Sequence, residues 1–362
     1  MWYIAYVIDI ETLPEFDGHE AVFRFSDQDT GLRGFIAIHN TNAGPAVGGT
    51  RFCHYANEEG ALRDALRLSR AMTYKCALAG VPYGGGKAVL MAPAGAKAAK
   101  KLKTKKYLES YARRLALLSG SFFTGEDVGM TGKDIEILDQ CSAGIIGRPS
   151  VGGLPSYWAA LSVFESMRAA LKEVFGSDSF KGRTVAIKGL GNVGSDLAAM
   201  LDEAGASVIG AEVDSTRARE AKKRVPDMRL VSSASIHTQK VDIFSPCALS
   251  GDLSKTTIPK LKAKIVCGSA NNQLATSQDG ERLFKRSIVY VPDYVANAGG
   301  LISVVDELHE GGYSRARVAR NVARVRATVA DILRQSKKKR HSPDSIADKI
   351  GKERFSRPRR KK

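Results

Sequence analysis

Residues 183–212 read RTVAIKGLGNVGSDLAAMLDEAGASVIGAE, and the fold of the chain can be predicted outward from them. They begin with a strand of buried type over 183–188, pass through a glycine-rich turn into a helical run, and end in a second strand over 207–212. A strand, a crossover helix and a second strand form the repeating unit of doubly wound parallel sheets. This part of the chain is therefore predicted to be an α/β domain of that kind.

The turn inside this segment has a spacing typical of dinucleotide sites. It is formed by Gly189, Leu190, Gly191, Asn192, Val193 and Gly194. Gly189 permits the tight turn, Gly191 lets a pyrophosphate approach the backbone, and Gly194 lets the helix pack on the strand. Glu212, about 20 residues further on, would accept hydrogen bonds from ribose hydroxyls and repel a 2′-phosphate, which favours NAD over NADP. The alternative is a doubly wound domain with an empty site.

Three later predicted strands end in small or amide-rich loops. These loops hold Cys247, Ala248, Asn271, Asn272 and Asn297. Ligands of open α/β sheets lie beyond the carboxyl ends of the strands, so the asparagines are candidates for hydrogen bonds to a nicotinamide or a substrate. The alternative for each asparagine is an ordinary turn residue.

A second stretch, residues 72–90, reads MTYKCALAGVPYGGGKAVL and contains Lys75 and Lys87. Three glycines precede Lys87 and an apolar run follows it, so we expect its side chain to point inward beside an approachable backbone. Burial and a second cation favour the neutral amine, and a neutral lysine is a general base. The alternatives are a flexible loop with a solvated Lys87, and a Lys75 that only complements a helix end.

Two further segments contribute candidate residues. GPAVGGTR, residues 44–51, is expected to form a turn whose N–H groups can bind an anion. FFTGEDVG, residues 122–129, places Asp127 in a loop after an aromatic strand. The alternative is that Asp127 caps a helix predicted over 131–141. Other helices are predicted over 57–74, with Asn57 as its cap, and over 102–118.

Composition limits the class of protein. With 362 residues and 43% hydrophobic content, two domains are expected, and no apolar run is long enough to span a membrane. The N-terminal residues lack a secretory signal, which predicts a cytoplasmic protein. The five cysteines are widely spaced and predict neither a disulfide framework nor a metal site. The net charge of +17 lies partly in two basic clusters, interpreted as a solvated helix face and a tail, so nucleic acid is disfavoured as a partner.

Across residues 20–310 the chain resembles the leucine, valine and phenylalanine dehydrogenase branch of the glutamate dehydrogenase superfamily. The matching motifs are GPAVGGTR, NEEGALRDALRLSRAMTYK, GGGKAV, TGEDVG, GLGNVG, PCAL, GSANNQL and PDYVANAGG. The resemblance implies a substrate-binding and oligomerisation α/β domain over 1–148 and a doubly wound Rossmann NAD-binding domain over 149–334, with a cleft between them. The segment 335–362 is expected to pack back on the first domain, and the protein to be a homo-oligomer, from dimer to octamer.

The resemblance also implies a reaction and roles for residues. An apolar L-amino acid (leucine, valine or isoleucine, with phenylalanine and tryptophan also open) is converted to the 2-oxo acid and ammonium, with NAD as the oxidant. Lys87 and Asp127 are implied to be catalytic, and Lys75 to bind the substrate carboxylate. The other implied substrate-binding residues are Gly48, Gly49, Met72, Asn272, Val47, Gly125, Leu301 and Val304. The implied cofactor-binding residues are those of the glycine-rich turn with Glu212, Cys247, Ala248, Asn271 and Asn297.

One residue departs from the family pattern. Ala159 stands where the family usually has a threonine that helps to hold the nicotinamide amide. This departure and the basic tail motivate an alternative function, a dinucleotide-binding relative with impaired turnover whose tail binds nucleic acid or another anionic surface. A glutamate dehydrogenase is disfavoured because none of the implied pocket residues can pair with a second carboxylate, and Gly125 is expected to leave room for a large side chain.

Overall fold

A computed structural model of the protein describes residues 9–118, 120–248 and 250–356. Residues 1–8 of the N-terminal segment in which no secretory signal is predicted, and residues 357–362 of the basic tail over 352–362, lie outside this described part. The described residues divide into two compact units, 9–153 with 351–356, and 154–350. The mixed α/β fold class is confirmed.

The first unit is built on a five-stranded sheet with the order β1-β2-β4-β3-β5. Strand β2 pairs antiparallel with β1 and β4, whereas β3 pairs parallel with β4 and β5. The strands are β1 (Ala21–Asp27), β2 (Leu32–Asn40), β3 (Ala46–His54), β4 (Gly84–Ala92) and β5 (Phe122–Glu126). The helices of the unit are α1 (Glu58–Ala79), α2 (Ala96–Leu102), α3 (Lys105–Ala116), α4 (Gly132–Asp139) and α5 (Pro149–Gly152).

Both faces of this sheet are covered by helices. Apolar residues of α1, such as Leu62 and Leu66, pack with Val89 of β4 on one face. On the other face Tyr107 and Tyr111 of α3 join a second apolar cluster. The core of the unit therefore lies on both sides of β4, which is buried over its whole length.

Local signals explain where the main helices begin and end. Helix α1 begins after Asn57, whose side chain accepts a hydrogen bond from the Gly60 N–H, and ends at Gly80 in a left-handed conformation. The helix predicted over 102–118 is observed as α3 over Lys105–Ala116, and it begins after Thr104, whose side chain accepts from the Tyr107 N–H. The turn predicted at GPAVGGTR is wrong, since most of that segment belongs to strand β3.

The second unit is built on a six-stranded parallel sheet with the order β11-β10-β9-β6-β7-β8. The strands are β6 (Thr184–Lys188), β7 (Ser207–Ala211), β8 (Arg229–Leu230), β9 (Ile243–Pro246), β10 (Ile265–Val266) and β11 (Val289–Tyr290). This is the doubly wound order, in which the chain reverses its direction of travel between β6 and β9. The carboxyl ends of these two strands are therefore where a ligand is expected.

Helices pack around this sheet. The last of them contains the point in the chain at which the second unit ends and the first unit resumes. The helices are α6 (Ser156–Phe175), α7 (Asn192–Glu203), α8 (Ser215–Arg224), α9 (Gln278–Lys285), α10 (Asp293–Ala296), α11 (Gly299–Val305), α12 (Arg315–Ala323), α13 (Val325–Lys339) and α14 (Pro343–Phe355). The basic sequence over 315–339 forms two helices, α12 and α13. Among the residues described, no helix has both the length and the apolar character needed to cross a membrane.

A buried histidine pair in the first unit predicts acid sensitivity. Burial, assisted by the neighbouring charges of His19 and Arg70 and opposed by Asp17, lowers the pKa of His39 from 6.5 to about 4. Because the folded pKa lies below the unfolded value, stability is complete above pH 6.5 and falls as the pH drops towards 4. By linkage the loss approaches about 3 kcal/mol.

Calorimetry between pH 4 and 7 checks this expectation. His39→Gln should flatten the pH dependence of the melting transition, whereas the same change at the exposed His54 should leave it intact. An unchanged acid dependence in His39→Gln would show that other groups control it.

Candidate active site

Lys87 is held on the central strand of the first sheet. All nine residues of β4 are buried and Lys87 is only 5% exposed, so the flexible-loop alternative is wrong. A Cβ at Gly85 would lie 2.1 Å from the Thr73 backbone nitrogen and 2.6 Å from the Ser69 carbonyl oxygen. The glycine therefore lets helix α1 lie directly against the strand that carries Lys87.

The Lys87 ammonium pairs with a carboxylate. Its Nζ lies 2.7 Å from Oδ2 of Asp127, and the same oxygen accepts a hydrogen bond from Nε of Arg51 at 3.0 Å. Burial lowers the pKa of Lys87, Asp127 opposes this effect, and the positive charge of Arg51 adds to it. Burial alone would raise the pKa of Asp127, but the charges of Lys87 and Arg51 hold it below its ordinary value.

Asp127 therefore does not cap helix α4, which was the alternative role for this residue. The cap of α4 is Thr131, whose side chain accepts from the Asp134 N–H while the Asp134 carboxylate accepts in return. The structure places Arg51 in the Lys87 network as a further cation, for which the sequence predicts no role. Arg51 lies in the motif GPAVGGTR, and strand alternation places it on the same face as Gly49.

The glycines and the methionine predicted in the first unit lie on β3 and α1, the elements that pack against the strand of Lys87. A Cβ at Gly49 would lie 2.8 Å from the Asp127 Cβ and 3.3 Å from the Lys87 Nζ. A Cβ at Gly48 would lie 3.4 Å from the Met72 Cγ. Lys75, which is half-buried, follows Met72 by three residues on α1, a spacing that puts the two on one helix face.

Two predicted pocket residues of this unit are fully enclosed. Val47 has no exposed surface. A Cβ at Gly125 would lie 2.5 Å from the Ile146 carbonyl oxygen. Gly125 is expected to leave room for a substrate because it has no side chain. This reason is wrong, because the backbone of Ile146 occupies the space into which a side chain at position 125 would point.

The glycine-rich turn of the second unit has the geometry of a phosphate cradle. Gly189 has φ +99°, and a Cβ there would lie 2.8 Å from the Ala248 Cβ. A Cβ at Gly194 would lie 2.0 Å from the Gly189 carbonyl oxygen, so α7 packs tightly on the turn. A Cβ at Gly191 would meet nothing within 4 Å. The space over Gly191, at the start of α7, is open to a pyrophosphate, so the residues fit a dinucleotide.

Glu212 follows β7 and faces this turn. Its Oε2 accepts from the Leu190 N–H at 2.8 Å, and its Oε1 accepts from the Val213 and Asp214 N–H groups. Burial would raise the pKa of Glu212, but these backbone hydrogen bonds hold it below its ordinary value. Oε2 keeps an acceptor site for a ribose hydroxyl.

The other predicted residues of this unit lie beyond the strands of its sheet. Cys247 and Ala248 follow β9, and the Cys247 Sγ lies 3.3 Å from the Ser245 hydroxyl. Asn297 is buried and donates to the Asn271 side chain at 2.8 Å and to the Ser269 carbonyl at 3.0 Å.

Asn272, Leu301 and Val304 complete the predicted set. Asn272 is exposed and has φ +52°, the left-handed conformation that asparagine tolerates. Leu301 is buried and Val304 half-buried on α11. A hydrogen-bonded cluster nearby, in which Asp252 accepts from Lys188 and pairs with His237 at 3.1 Å, was not predicted, because no spacing motif links residues so distant in the chain.

Two features together define a dinucleotide-dependent dehydrogenase. One is a doubly wound sheet with a glycine-rich turn at its switch point, and the other is a buried lysine–aspartate pair in a separate α/β unit. The family model for the dimerisation domain of Glu/Leu/Phe/Val dehydrogenases matches residues 19–142, and that for glutamate/leucine/phenylalanine/valine dehydrogenase matches residues 156–218 and 211–354. The chain belongs to this family of amino-acid dehydrogenases.

Individual relatives resemble almost the whole chain. Leucine dehydrogenase of Bacillus subtilis (strain 168) is 39% identical over 353 residues, covering 96% of this chain and 94% of that protein. Phenylalanine dehydrogenase of Thermoactinomyces intermedius is 41% identical over 351 residues, with 96% and 94% covered. The crystal structure of L-tryptophan dehydrogenase from Nostoc punctiforme superposes with a TM-score of 0.83 at 38% identity, covering 95% of this chain and 98% of that one.

Proposed function

We propose that this protein catalyses the NAD-dependent oxidative deamination of an apolar L-amino acid to the 2-oxo acid, ammonium and NADH. The observation that carries the proposal is the buried Lys87, held 2.7 Å from Asp127 in a chain that also has a dinucleotide turn. Family membership makes the reaction class that of an amino-acid dehydrogenase.

A bound dinucleotide would supply a hydride acceptor for the Cα hydrogen of the amino acid. The chain's own residues handle the protons. Neutral Lys87 removes a proton from the water that attacks the iminium carbon, and the resulting lysine ammonium gives that proton to the carbinolamine nitrogen. Lys87 then takes the hydroxyl proton as the C–N bond breaks and the C=O bond forms, so that ammonia leaves and gains a proton to become ammonium. Asp127 accepts a hydrogen bond from Lys87 and fixes the direction of its lone pair. Lys75 is assigned to the substrate carboxylate, and Gly48, Gly49, Met72 and Asn272 to contacts around it.

NAD is proposed as the dinucleotide because Glu212 presents a carboxylate where an adenosine ribose would lie. The remaining acceptor site on its Oε2 can accept a hydrogen bond from a ribose hydroxyl, and its negative charge repels a phosphate in the same place. The pyrophosphate is assigned to Gly189–Gly194, and the nicotinamide end to Asn271, Asn297 and the loop of Cys247 and Ala248. Ala159 offers no hydroxyl, so the nicotinamide amide relies on these groups.

The substrate is proposed to be apolar because none of the residues assigned to its side chain has an ionisable group. These residues are Val47, Gly125, Leu301 and Val304. A glutamate carboxylate desolvated beside them would find no cation among them, which costs several kcal/mol. Three relatives carry the names leucine, phenylalanine and tryptophan dehydrogenase, which agrees with an apolar substrate.

The first unit is proposed to bind substrate and to assemble with further copies of the chain, because its matching family model is described as a dimerisation domain. The second unit is assigned to the dinucleotide. The alternative of a relative with impaired turnover is not favoured, since the relatives that cover the whole chain bear the names of dehydrogenases and the Lys87–Asp127 pair is intact.

A substrate panel with the purified full chain tests this proposal. Each of the twenty amino acids is supplied with NAD or NADP at alkaline pH, and reduction of the dinucleotide is followed by absorbance. We expect turnover with one or more of leucine, valine, isoleucine, phenylalanine and tryptophan, faster with NAD. Preference for glutamate would contradict the assigned pocket, and silence in both reaction directions would contradict the function.

A further inference from the structure

Arg51 joins the catalytic pair to helix α1. Its Nε donates to Asp127 Oδ2 at 3.0 Å, and its Nη1 donates to Asp64 Oδ2 at 3.0 Å. The Arg51 side chain is 20% exposed, so the ion pairs are only partly screened by solvent. One guanidinium thus spans two carboxylates, and one of them is the partner of Lys87.

The far end of this bridge is itself fixed. Asp64 Oδ2 also accepts from the Tyr55 hydroxyl at 2.7 Å, and Asp64 Oδ1 accepts from Arg67 at 2.7 Å. A planar guanidinium that donates to two anchored carboxylates has little freedom to rotate. The position of Asp127 is therefore set from α1 through Arg51.

The charges of the cluster matter as much as its geometry. When Lys87 gives up its proton, Asp127 still has Arg51 as a counterion and stays ionised in its partly buried place. If Arg51 were absent, the ammonium of Lys87 would have to balance Asp127, and the ion pair would hold the proton on the lysine. Arg51 also disfavours the lysine ammonium directly by like-charge repulsion.

We propose that Arg51 is a positioning residue of the reaction, which keeps Asp127 ionised and in place so that Lys87 can act as a base near neutral pH. The inference rests on the proposed role of Lys87. Other charged and titratable groups of the cluster belong to β3, the residues after it, and α1. Cys53 and Asp64 interact electrostatically with Lys87, and Tyr55 and Arg67 donate to Asp64.

The test compares Arg51→Met, Arg51→Lys and a matched control, Arg63→Met. Arg63 is an arginine of α1 that pairs with Glu59 and Glu15 and contacts neither Asp64 nor Asp127 through any ion pair seen in the described residues. Two readouts are taken across pH 6–11: kcat with the best amino acid, and the acetylation rate of Lys87 by acetic anhydride, followed by mass spectrometry without dinucleotide. Calorimetry checks that each variant is folded.

For Arg51→Met we expect the acidic limb of both profiles to move up by about one to two pH units, which lowers kcat at neutral pH by about 10–100-fold and leaves kcat at high pH within a few-fold of the parent. The KM for the amino acid should change little. Arg51→Lys should recover part of the shift, and Arg63→Met should follow the parent.

The inference is overturned if Arg51→Met lowers kcat by the same factor at every pH, or if Lys87 is acetylated with an unmoved pH midpoint. If Arg51→Met fails to fold, the same reading applies to Arg51→Lys, for which a smaller upward shift is expected. Failure of the proposed function is a separate result: the parent would show no turnover, while the acetylation profiles would still decide whether Arg51 controls the protonation of Lys87.

Discussion

Replacing Lys87 with alanine is expected to lower kcat by about 10²–10⁴-fold, the range that a single positioned general base supplies. The side chain is buried and points at Asp127, so no solvent-exposed group can take its place. The fold should survive, because Asp127 keeps Arg51 as a partner when the ammonium is removed. Steady-state kinetics across pH, with calorimetry on the same preparation, measure both effects.

Binding of the dinucleotide should be retained in Lys87→Ala, since the glycine-rich turn belongs to the other unit. The matched control is Lys97→Ala, which removes an exposed lysine from α2 and should keep full activity. If Lys87→Ala turned over as fast as the parent, Lys87 would not be the general base of the reaction.

Gly191→Val is expected to abolish measurable dinucleotide binding while leaving the free protein stable. The backbone of Gly191 has φ −66° and ψ −168°, which any residue adopts, and its Cβ direction is empty. A valine there would fill the space assigned to the pyrophosphate. Titration calorimetry with NAD measures the affinity, and thermal unfolding measures the stability.

Gly194→Val provides the contrast. Its Cβ would lie 2.0 Å from the Gly189 carbonyl oxygen, so α7 must move away from the turn and the second unit should melt at a lower temperature. If Gly191→Val binds NAD as tightly as the parent, the pyrophosphate is not bound at this turn. If both variants melt at equally low temperatures, the loss of NAD binding in Gly191→Val would be a consequence of unfolding and not of a blocked pyrophosphate site.

The second unit was predictable because its signals are local. Strand, turn and helix follow one another within 30 residues, and the reversal between β6 and β9 then places Ala248 beside Gly189 and Cys247 beside Gly194. The two-residue strand β8 has no pattern long enough to predict.

The first unit was harder because its glycines serve packing. Glycine-rich sequence at residues 44–51 favours a turn, yet the lost side chains allow close contacts inside the sheet, as between Gly49 and the Lys87–Asp127 pair. The pair itself was predictable from motif resemblance. The link from this pair through Arg51 to Asp64 was not predictable. Arg51 lies on a strand and Asp64 on a helix, and residues 13 positions apart on two such elements meet only through tertiary structure.

The carbonyl oxygen of Ile146, pressed against Gly125, has a consequence for attempts to redesign this enzyme. Enlarging Gly125 to shorten the pocket would displace the backbone of residues 144–146, which is hydrogen-bonded to Thr124 on β5, before it reshaped any space for a ligand. Directed-evolution libraries aimed at a new amino acid should therefore leave codon 125 unchanged and diversify Val304, a residue proposed to contact the substrate that is half-buried and lies on helix α11 rather than on a strand.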